Sequence, residues 1–277
     1  RRARNPWLQC VMRAAGCDTD PMFWSEYPRD VVQVEGPDAL TYLQSQLSQD
    51  LRSLQVGSTV WSFVLQPAGK VDVLLRVWRT GDDTFVLDTD AGFGEVLLAR
   101  LNRFKIRVKA ELSMLPWQCI AVRASGGDDS GNDSGNDSGE MPAGLASWGG
   151  GVDLLGAGVQ PPAGVAEGDA EQLQAARVAA GWPQMGAEIE PGDTIPAETG
   201  VTSVAVSFTK GCYPGQELVE RMDSRGAAAP RLLQVVEVPA GTRAGDAFVR
   251  HGEAVGVVTS VSGEWALAYV KRSALTA

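Results

Sequence analysis

One stretch of the 277-residue chain cannot contribute to a folded core. Residues 125–140 consist of Ser, Gly, Asp and Asn with a final Glu, and contain no apolar side chain. Such a segment cannot bury enough apolar surface to offset the entropy lost on ordering it. We therefore predict a disordered acidic loop over residues 124–145, which divides the foldable chain. Calcium binding is an alternative for its Asp-Ser-Gly-Asn unit, but the spacing fits neither an EF-hand nor a β-roll repeat.

The residues before this loop, 22–123, are predicted to form an α+β unit. The predicted strands are Val31–Val34, Thr59–Leu65, Val71–Trp78, Thr84–Leu87, and one in which Ile106, Val108, Ala110 and Leu112 alternate. One predicted helix carries Leu40, Leu43, Leu47 and Leu51 on one face, and another carries Phe93, Val96, Leu97, Leu101 and Phe104. These assignments rest on apolar residues at strand or helix spacing. The order strand, helix, strands, helix, strand is typical of a split βαβ, or ferredoxin-like, unit.

After the loop, residues 146–229 are predicted to form a second α+β part and residues 230–277 a small β-barrel. The second part has a predicted helix from Glu167 to Ala180, an apolar strand from Val204 to Phe208, and a helix from Gln216 to Met222. The predicted barrel strands are Leu232–Val238, Val255–Val261 and Trp265–Val270, separated by Gly turns. Residues 1–21 are arginine-rich but lack the Ser enrichment of a transit peptide, so we predict a disordered N-terminal extension.

Charge and composition argue against several classes of function. A net charge of −10 disfavours DNA and RNA binding, because neutralising phosphates requires clustered Lys and Arg. A local basic patch is the exception that would permit RNA contact. No apolar run is long enough to span a membrane. The cysteines, Cys10, Cys17, Cys119 and Cys212, form no Cys-x-x-Cys pair, so we expect no metal site and a location in the reducing cytoplasm. We also expect a monomer.

The most informative motif is Lys210-Gly211-Cys212-Tyr213-Pro214-Gly215-Gln216-Glu217. Its glycines and proline predict a tight loop before a helix. Near Lys210 and a helix start, positive potential favours the Cys212 thiolate. Gln216 and Glu217 in the first helical turn are suited to capping or to holding a polar ligand. The alternative is that Cys212 is a small buried residue and the glycines only form the turn; the residues by themselves do not decide between these interpretations.

This motif resembles the signature of the YgfZ family, whose members are relatives of the glycine cleavage T-protein, an aminomethyltransferase. Other stretches are similar to the same family in the same order. They are Gly36-Pro37-Asp38-Ala39 with Leu43-Gln44, Leu65-Gln66-Pro67-Ala68-Gly69-Lys70, Arg177-Val178-Ala179-Ala180-Gly181-Trp182-Pro183, Ile195-Pro196-Ala197-Glu198 and Arg225-Gly226. The resemblance covers residues 22–272 and is interrupted by the acidic loop.

The resemblance implies a clover-leaf of two α/β units and a barrel around a central tetrahydrofolate cavity. It also implies a role in building or repairing iron–sulfur clusters in client enzymes, including radical enzymes that modify tRNA. Cys212 is then the key thiol, with Lys210 as the second catalytic candidate. The folate-binding or motif candidates are Gly211, Tyr213, Gly215, Gln216, Glu217, Arg225, Arg177 and Trp182. The expected ligand is tetrahydrofolate or a derivative, and the expected partners are iron–sulfur client enzymes or cluster carriers.

The sequence departs from the T-protein at two places that matter for catalysis. The T-protein has its catalytic aspartate in a Gly-Gly-x-x-Asp-Asp pattern, and alignment on Gly69-Lys70 puts Val73 and Leu74 at those positions. Asp72 lies one step away, and a side chain one step along a strand points to the opposite face. A glutamate that contacts the pterin is replaced by Ala179. Aminomethyl transfer would therefore lack its acid–base groups. It stays an alternative, as does a non-catalytic folate-binding scaffold.

The tryptophans offer one further expectation. Trp61, Trp78 and Trp182 lie in segments close to the cavity that the resemblance implies, where an indole ring could stack on a pterin. Core packing is the simpler interpretation for most of the tryptophans in the chain. Trp182, which adjoins the stretch that starts at Arg177, is the one that we expect to contact the ligand.

Overall fold

The computed structural model describes residues 22–124, 147–224 and 229–275, with the side chains of residues 223 and 224 left out. The predicted N-terminal extension, nearly all of the predicted acidic loop, and Arg225 lie outside the described residues. The described part is a mixed α+β fold that contains three β-sheets, so the predicted fold class is confirmed at this level. Within the same ranges, no helix has the length and apolar character needed to cross a membrane.

Strands outnumber helices in the described residues. The strands are β1 (Met22–Glu26), β2 (Arg29–Glu35), β3 (Thr59–Leu65), β4 (Val71–Arg79), β5 (Thr84–Asp90), β6 (Glu111–Leu115), β7 (Gln118–Ala124), β8 (Val152–Gly156), β9 (Ala166–Glu167), β10 (Arg231–Glu237), β11 (Ala247–Arg250), β12 (Glu253–Ser262) and β13 (Trp265–Lys271). The helices are α1 (Ala39–Gln46), α2 (Gly94–Phe104), α3 (Ala170–Ala179), α4 (Thr202–Ala205) and α5 (Gln216–Ser224). Single 3-10 turns cover Pro196–Glu198 and Arg272–Ala274.

The first sheet has the strand order β3-β4-β5-β2-β6, and all of its neighbouring strands are antiparallel. Strands β5 and β6 lie on either side of β2 and are connected through α2, which is a split βαβ arrangement. Leu43 of α1 and Leu97 and Leu101 of α2 are fully buried against Val73 and Leu75 of the sheet. We call this layer the helix-side core. The opposite face of the sheet contributes to a second layer, the central core, which contains Trp61, Leu74 and residues from later parts of the chain.

The first predicted helix extends too far along the chain. Helix α1 ends at Gln46, whereas Leu47 and Leu51 are buried in the segment that follows it. The cause is tertiary: Leu47 forms a β-bridge with Val64, and the ammonium of Lys210 binds carbonyl groups at the helix end. The leucine spacing correctly indicated burial, but it did not reveal where the backbone leaves the helix.

Strand β6 also starts later than its alternation predicted. It begins at Glu111, and Ile106 and Val108 lie in a preceding turn. Arg107 adopts a left-handed backbone conformation with φ of 57°, which an extended strand cannot contain. The turn leaves Ile106 76% exposed, so the prediction that this residue belongs to a strand is wrong.

Two predicted elements in the second half also differ. The predicted strand Val204–Phe208 is wrong: Val204 and Ala205 belong to the short helix α4, and no strand follows them up to Phe208. Ser48 holds the end of this helix, because its carbonyl oxygen accepts the N–H of Ser207 and its hydroxyl donates to the carbonyl oxygen of Ala205. The predicted helix from Glu167 starts only at Ala170. Asp169 caps that helix: its side chain accepts the Gln172 N–H while the Gln172 side chain accepts the Asp169 N–H, a capping box visible in the sequence.

The second sheet has the order β8-β7-β1-β9. Strands β1 and β7 belong to the predicted unit 22–123, whereas β8 and β9 belong to 146–229. The sequence boundary between these parts therefore does not separate two sheets. Helix α3 packs near this sheet through Leu173, which lies in the central core with Phe23 of β1.

The third sheet has the order β10-β13-β12-β11 and is antiparallel throughout. One face buries Val236, Val258 and Val270 in a core of its own. The other face packs Leu267 and other residues against Val178 of α3. The strands predicted at 232–238, 255–261 and 265–270 are present, and closure of this sheet into a barrel stays a prediction.

A network of buried charges joins the first sheet to the second. Its members are Arg29, Arg76, Asp88 and Asp90 from the first sheet, and Arg123 and Asp153 from the second. Asp88 pairs with Arg29 Nε at 2.7 Å and with Arg76 Nε at 3.0 Å. Asp153 pairs with Arg76 Nη1 at 2.6 Å and with Arg123 Nη2 at 2.8 Å. Arg76 therefore bridges the sheets, and the three arginines balance the three aspartates.

The environment keeps these carboxylates ionised despite their burial. Burial alone raises the pKa of Asp88, but Arg76 and Arg29 lower it below the usual value. Burial likewise opposes ionisation of Asp153, and Arg123 and Arg76 lower its pKa. Breaking such a pair is costly because it leaves an uncompensated charge in a medium of low polarity.

We expect Asp153→Asn to lower the free energy of unfolding by about 3–5 kcal/mol, since Arg76 and Arg123 lose their shared carboxylate. The matched control is Asp193→Asn, which removes an ion pair between Lys70 and Asp193. The Asp193 side chain is 69% exposed, so this substitution should lower the free energy of unfolding by less than about 1 kcal/mol. Urea unfolding measures both. Equal losses would contradict the role of the network.

The comparison of wild type with Asp153→Asn also gives a pH dependence. The pKa of Asp153 is lower in the folded state than in the unfolded chain, so its contribution is complete above the unfolded value of about 3.9 and is lost as the pH falls. The stability difference between the two proteins should therefore shrink below about pH 4. A difference that grew on acidification would contradict this sign.

Candidate functional site

The cysteine motif forms the loop between α4 and α5. Lys210 and Tyr213 are buried, whereas Gly211 and Cys212 between them are exposed. The backbone is thus anchored on both sides of the thiol. The alternative in which Cys212 is a buried core residue is wrong, because its side chain is at the surface.

Lys210 anchors the loop to the end of α1. Its ammonium donates to the carbonyl oxygens of Gln44 at 2.7 Å, Leu47 at 2.5 Å and Gln49 at 3.0 Å. Carbonyl groups at a helix C-terminus lack intrahelical partners, and a cation there is favourable. Burial lowers the pKa of Lys210 to about 8, and Asp50 opposes this effect. All three N–H groups are engaged, so Lys210 positions the loop here, and a catalytic role for it stays a prediction.

Tyr213 anchors the other side of the loop in the central core. Its ring lies there with Trp61 and Leu74, and burial raises the pKa of its phenol to about 12. The Tyr213 backbone N–H donates to Gln216 Oε1 at 3.0 Å. Gln216 therefore ties the loop to the first turn of α5, as a residue that caps a helix start does. Glu217 in the same turn is exposed, where a carboxylate favours the positive end of the helix dipole.

Two glycines place the loop directly against the β3–β4 turn. Gly215 has φ of 81°, and a Cβ there would stand 2.4 Å from the carbonyl oxygen of Gln66 and 2.9 Å from Gly69 Cα. Gly69 has φ of 83°, and its Cβ would stand 2.4 Å from Leu218 Cβ. Only glycine permits both the left-handed conformations and this backbone contact. Two family-like stretches that are far apart in sequence therefore form one site.

Apolar side chains occupy both positions at which the T-protein pattern has acids. Leu74 points into the central core and Val73 into the helix-side core. Asp72 pairs with Arg100 of α2 at 3.1 Å and accepts from Gln66 Nε2 at 2.8 Å. It therefore shares the helix side with Val73, and the predicted alternation between these two residues fails because the register of β3 and β4 shifts at this point. Because its carboxylate is bonded to Arg100 and Gln66, Asp72 does not take the place of the acid that the T-protein has at this turn.

The tryptophans near the site have different roles. The rings of Trp61 and Trp182 contact each other in the central core, with centroids 4.6 Å apart and planes tilted by 51°. Trp61 Nε1 is buried and has no hydrogen-bond acceptor among the described residues. Trp78 instead donates to Asp88 in the charge network. A buried N–H normally has a partner, so the Trp61 N–H is a donor that the described residues leave unsatisfied.

Arg177 is a structural connector in this fold. Its guanidinium donates to the carbonyl oxygen of Trp182 at 2.7 Å and to Glu188 Oε2 at 2.8 Å. It also donates to Ser260 Oγ of β12 at 2.6 Å and, through Nε, to Gln174 Oε1 at 3.1 Å. These bonds hold α3 against the third sheet and fix the backbone at Trp182. A direct contact between Arg177 and folate stays a prediction.

A mostly apolar groove of about 250 Å³ runs beside α5. It lies between that helix, the 3-10 turn Pro196–Glu198, and β10, with Arg272 at its rim. The turn belongs to the stretch Ile195-Pro196-Ala197-Glu198 that resembles the family. Glu198 is not in the groove lining and instead pairs with Arg231 Nε at 3.2 Å.

The fold and this site were compared with known proteins. The aminomethyltransferase T of the glycine cleavage system from Bartonella henselae has a similar structure, with a TM-score of 0.67, 21% identity, and coverage of 95% of this chain and 82% of that one. The chain therefore has the fold of the T-protein. No family model matches the sequence.

Proteins with similar sequences point to a more specific class of protein than the fold does. A mitochondrial iron–sulfur cluster assembly factor IBA57 homolog from Phaeosphaeria nodorum is 28% identical over 79% of this chain and 56% of its own length. The tRNA-modifying protein YgfZ of Edwardsiella ictaluri is 28% identical over 71% of this chain and 65% of its own length. The chain thus spans between about half and two thirds of these relatives. It is similar in sequence to proteins named IBA57 and YgfZ and similar in fold to the T-protein.

We expect Gly215→Ala and Gly69→Ala each to destabilise the protein by about 2–4 kcal/mol, because each adds backbone strain and a steric clash at the contact between the loop and the turn. Gly57→Ala is the matched control: Gly57 has φ of 87° but open space around it, so only the strain of about 1 kcal/mol remains. Gly211→Ala, with neither constraint, should be close to neutral. Urea unfolding of the four variants separates the effects; a Gly215 variant no worse than the Gly57 variant would contradict the contact.

Proposed function

We propose that this protein binds tetrahydrofolate and assists the assembly or repair of iron–sulfur clusters in client enzymes, with Cys212 as the reacting thiol. The observation that carries the proposal is the position of Cys212: it is exposed at the tip of a loop whose flanking residues, Lys210 and Tyr213, are buried. The names of the IBA57 and YgfZ relatives support the iron–sulfur role and extend it to tRNA-modifying clients.

A thiol in this setting is suited to work with a partner. One cysteine supplies one of the four thiolates that usually hold a cluster, so the remaining ligands would come from a client enzyme or a cluster carrier. An exposed thiol on an anchored loop gives such a partner access without unfolding the motif.

The central core is the proposed folate site. Trp61 has an uncommitted indole N–H beside Trp182, and a pterin offers both acceptor atoms and a flat ring for such a pair. A clover-leaf arrangement, in which the third sheet closes as a small barrel beside the two α+β parts, belongs to the same proposal. The folate-binding role of Arg225, which lies outside the described residues, remains part of this proposal.

Aminomethyl transfer is the weaker candidate. The T-protein-like fold favours it, but Leu74 faces the central core where the T-protein pattern has an acid, and Asp72 is paired with Arg100. No general base is then available at that position for the amine. If the protein formed methylene-tetrahydrofolate from an aminomethyl donor at a folate-dependent rate, that result would favour aminomethyl transfer over a role in iron–sulfur cluster assembly.

The role of Cys212 is tested by complementation of a strain that lacks the protein. We expect Cys212→Ser to fold as the wild type does, because the side chain is exposed, yet to fail to restore the activity of iron–sulfur enzymes. Cys119→Ala removes the buried thiol and serves as the control, which should restore activity if it folds. Full restoration by Cys212→Ser would instead favour the folate-binding scaffold.

Folate binding is tested separately by thermal unfolding. At a tetrahydrofolate concentration one hundred times Kd, we expect a stabilisation of about 2.7 kcal/mol, or roughly 5–10 °C in Tm for a chain of this size. Trp61→Phe keeps an aromatic ring but removes the N–H, and should weaken binding about tenfold. Trp265→Phe, at an exposed position of β13, is the control. The absence of any shift at millimolar tetrahydrofolate would exclude the proposed ligand.

A further inference from the structure

The chain from α2 to the start of β6 is strongly basic in an acidic protein. Residues 96–110 contain five basic side chains and no acid, whereas the whole chain has a net charge of −10. The basic residues are Arg100, Arg103, Lys105, Arg107 and Lys109. Local clustering of this kind creates a positive potential that attracts an oppositely charged partner even when the total charge is negative.

Three of these cations are available at the surface. Arg100 pairs with Asp72, and Lys105 donates to a backbone carbonyl. Arg103, Arg107 and Lys109 are exposed, and none of them forms an ion pair within the part of the chain that the structure describes.

Acids nearby shape this potential. The Asp38 carboxylate accepts the backbone N–H of Lys109 at 2.8 Å, and Glu35 and Glu111 face each other on adjacent strands. These acids adjoin the Lys109 end of the segment. These acids oppose the charge of Lys109 more than the charges of Arg103 and Arg107, which lie on either side of Ile106 in the chain.

Apolar side chains are exposed among the same cations. Ile106 is 76% exposed, Val96 41% and Phe104 36%. The turn that presents Ile106 is ordered by backbone hydrogen bonds from Lys105 to Asn102 and from Ile106 to Phe104. An exposed apolar side chain on an ordered turn, with basic residues before and after it in the chain, is typical of a protein interface, where apolar anchors and arginines are enriched.

We propose that this surface, defined as Val96, Arg103, Phe104, Ile106, Arg107 and Lys109, binds an acidic segment of a partner protein that also carries apolar side chains. Complementary charge would steer the encounter, and Ile106 would be buried on contact. This inference goes beyond the proposed cluster and folate chemistry and does not depend on it.

The features of this surface favour a protein segment over RNA. Single-stranded nucleic acid is held by bases that stack on open aromatic faces, but the Arg100 guanidinium lies 4.0 Å from the centroid of the Phe104 ring and covers one face. A phosphate backbone also offers no apolar surface to Ile106. An acidic peptide with leucine side chains satisfies both the cations and the apolar anchor.

The surface is also connected to the cysteine loop. Arg100, whose guanidinium stacks on Phe104, donates to the carbonyl oxygen of Leu65 at 2.9 Å. Leu65 and the turn after it contact Gly215 of the loop. A partner held on this surface would therefore be anchored beside the same turn that supports the cysteine motif.

The test measures binding to the full chain by fluorescence anisotropy. The main probe is a short fluorescein-labelled peptide of Glu-Asp-Leu repeats, and the comparison probes are the same peptide with Ser in place of Leu, a short labelled oligouridylate, and phosphatidylserine-containing vesicles. We expect saturable binding of the Leu peptide, weakened by salt. Binding should fall at least about tenfold in Arg103→Glu/Arg107→Glu and about fivefold in Ile106→Ser.

The matched control is Arg243→Glu/Arg250→Glu, which changes the net charge equally at exposed positions of the third-sheet region. It should leave binding within about twofold of wild type. Circular dichroism and Tm confirm that each variant folds, as expected for changes at exposed side chains. An equal loss of binding in the control would overturn the proposal, because general electrostatics would then explain the result.

Two other outcomes would also overturn it. One is that the wild type shows no saturable binding to the Leu peptide. Equal binding of the Ser peptide counts in the same way, because it would show that apolar contact with Ile106 does not contribute to binding. The other is preferential binding of the oligouridylate or of the vesicles, with the same dependence on Arg103 and Arg107, which would assign the surface to nucleic acid or to a lipid headgroup.

Discussion

Neutralisation of charge inside the protein is the constraint on which the rest of the structure depends. Arg76 lies fully buried between two sheets and bonds to an aspartate from each of them. Each sheet contributes equal numbers of arginines and aspartates to this network, and Arg76 links the two sets because it bonds to Asp88 of the first sheet and to Asp153 of the second. The network thus fixes how the sheets face each other. That arrangement in turn creates the central core in which Trp61, Trp182 and Tyr213 meet.

The cysteine loop illustrates how rigidity and exposure are combined. Lys210 fixes one side of the loop to the end of α1, and Tyr213 fixes the other in the central core. The contact between Gly69 and Gly215 leaves no room for the loop to shift toward the β3–β4 turn. The loop that carries Cys212 is therefore held by contacts with the end of α1, with the central core and with the β3–β4 turn. This design suits chemistry performed on a partner more than chemistry performed in a closed pocket.

The fold was largely predictable where the signal is local, and less so where it is not. Strands such as Thr59–Leu65 and the start of α5 followed from alternation and from the Gly-Gln-Glu pattern. Apolar spacing predicted helix α1 too long, because it does not reveal the bridge between Leu47 and Val64 that ends the helix. The same kind of spacing predicted a strand at Ile106, where the left-handed backbone of Arg107 forms a turn instead. The charge network had no sequence signal, because an Arg or Asp on a strand is ordinarily expected to face solvent. At the site, Cys212 and its loop were predictable, whereas the free N–H of Trp61 was not.

By itself, the sequence determined the α+β class, the family resemblance, and the loop of the cysteine motif before a helix. These properties are encoded by residue type and spacing along the chain. Only the tertiary structure decided what each side chain bonds to. It made Lys210 the anchor of a helix end, made Arg177 a connector to the third sheet, and brought Gly69 against Gly215. The physical reason is that hydrogen bonds and close packing act between residues that are distant in sequence, and their geometry exists only after the sheets have assembled.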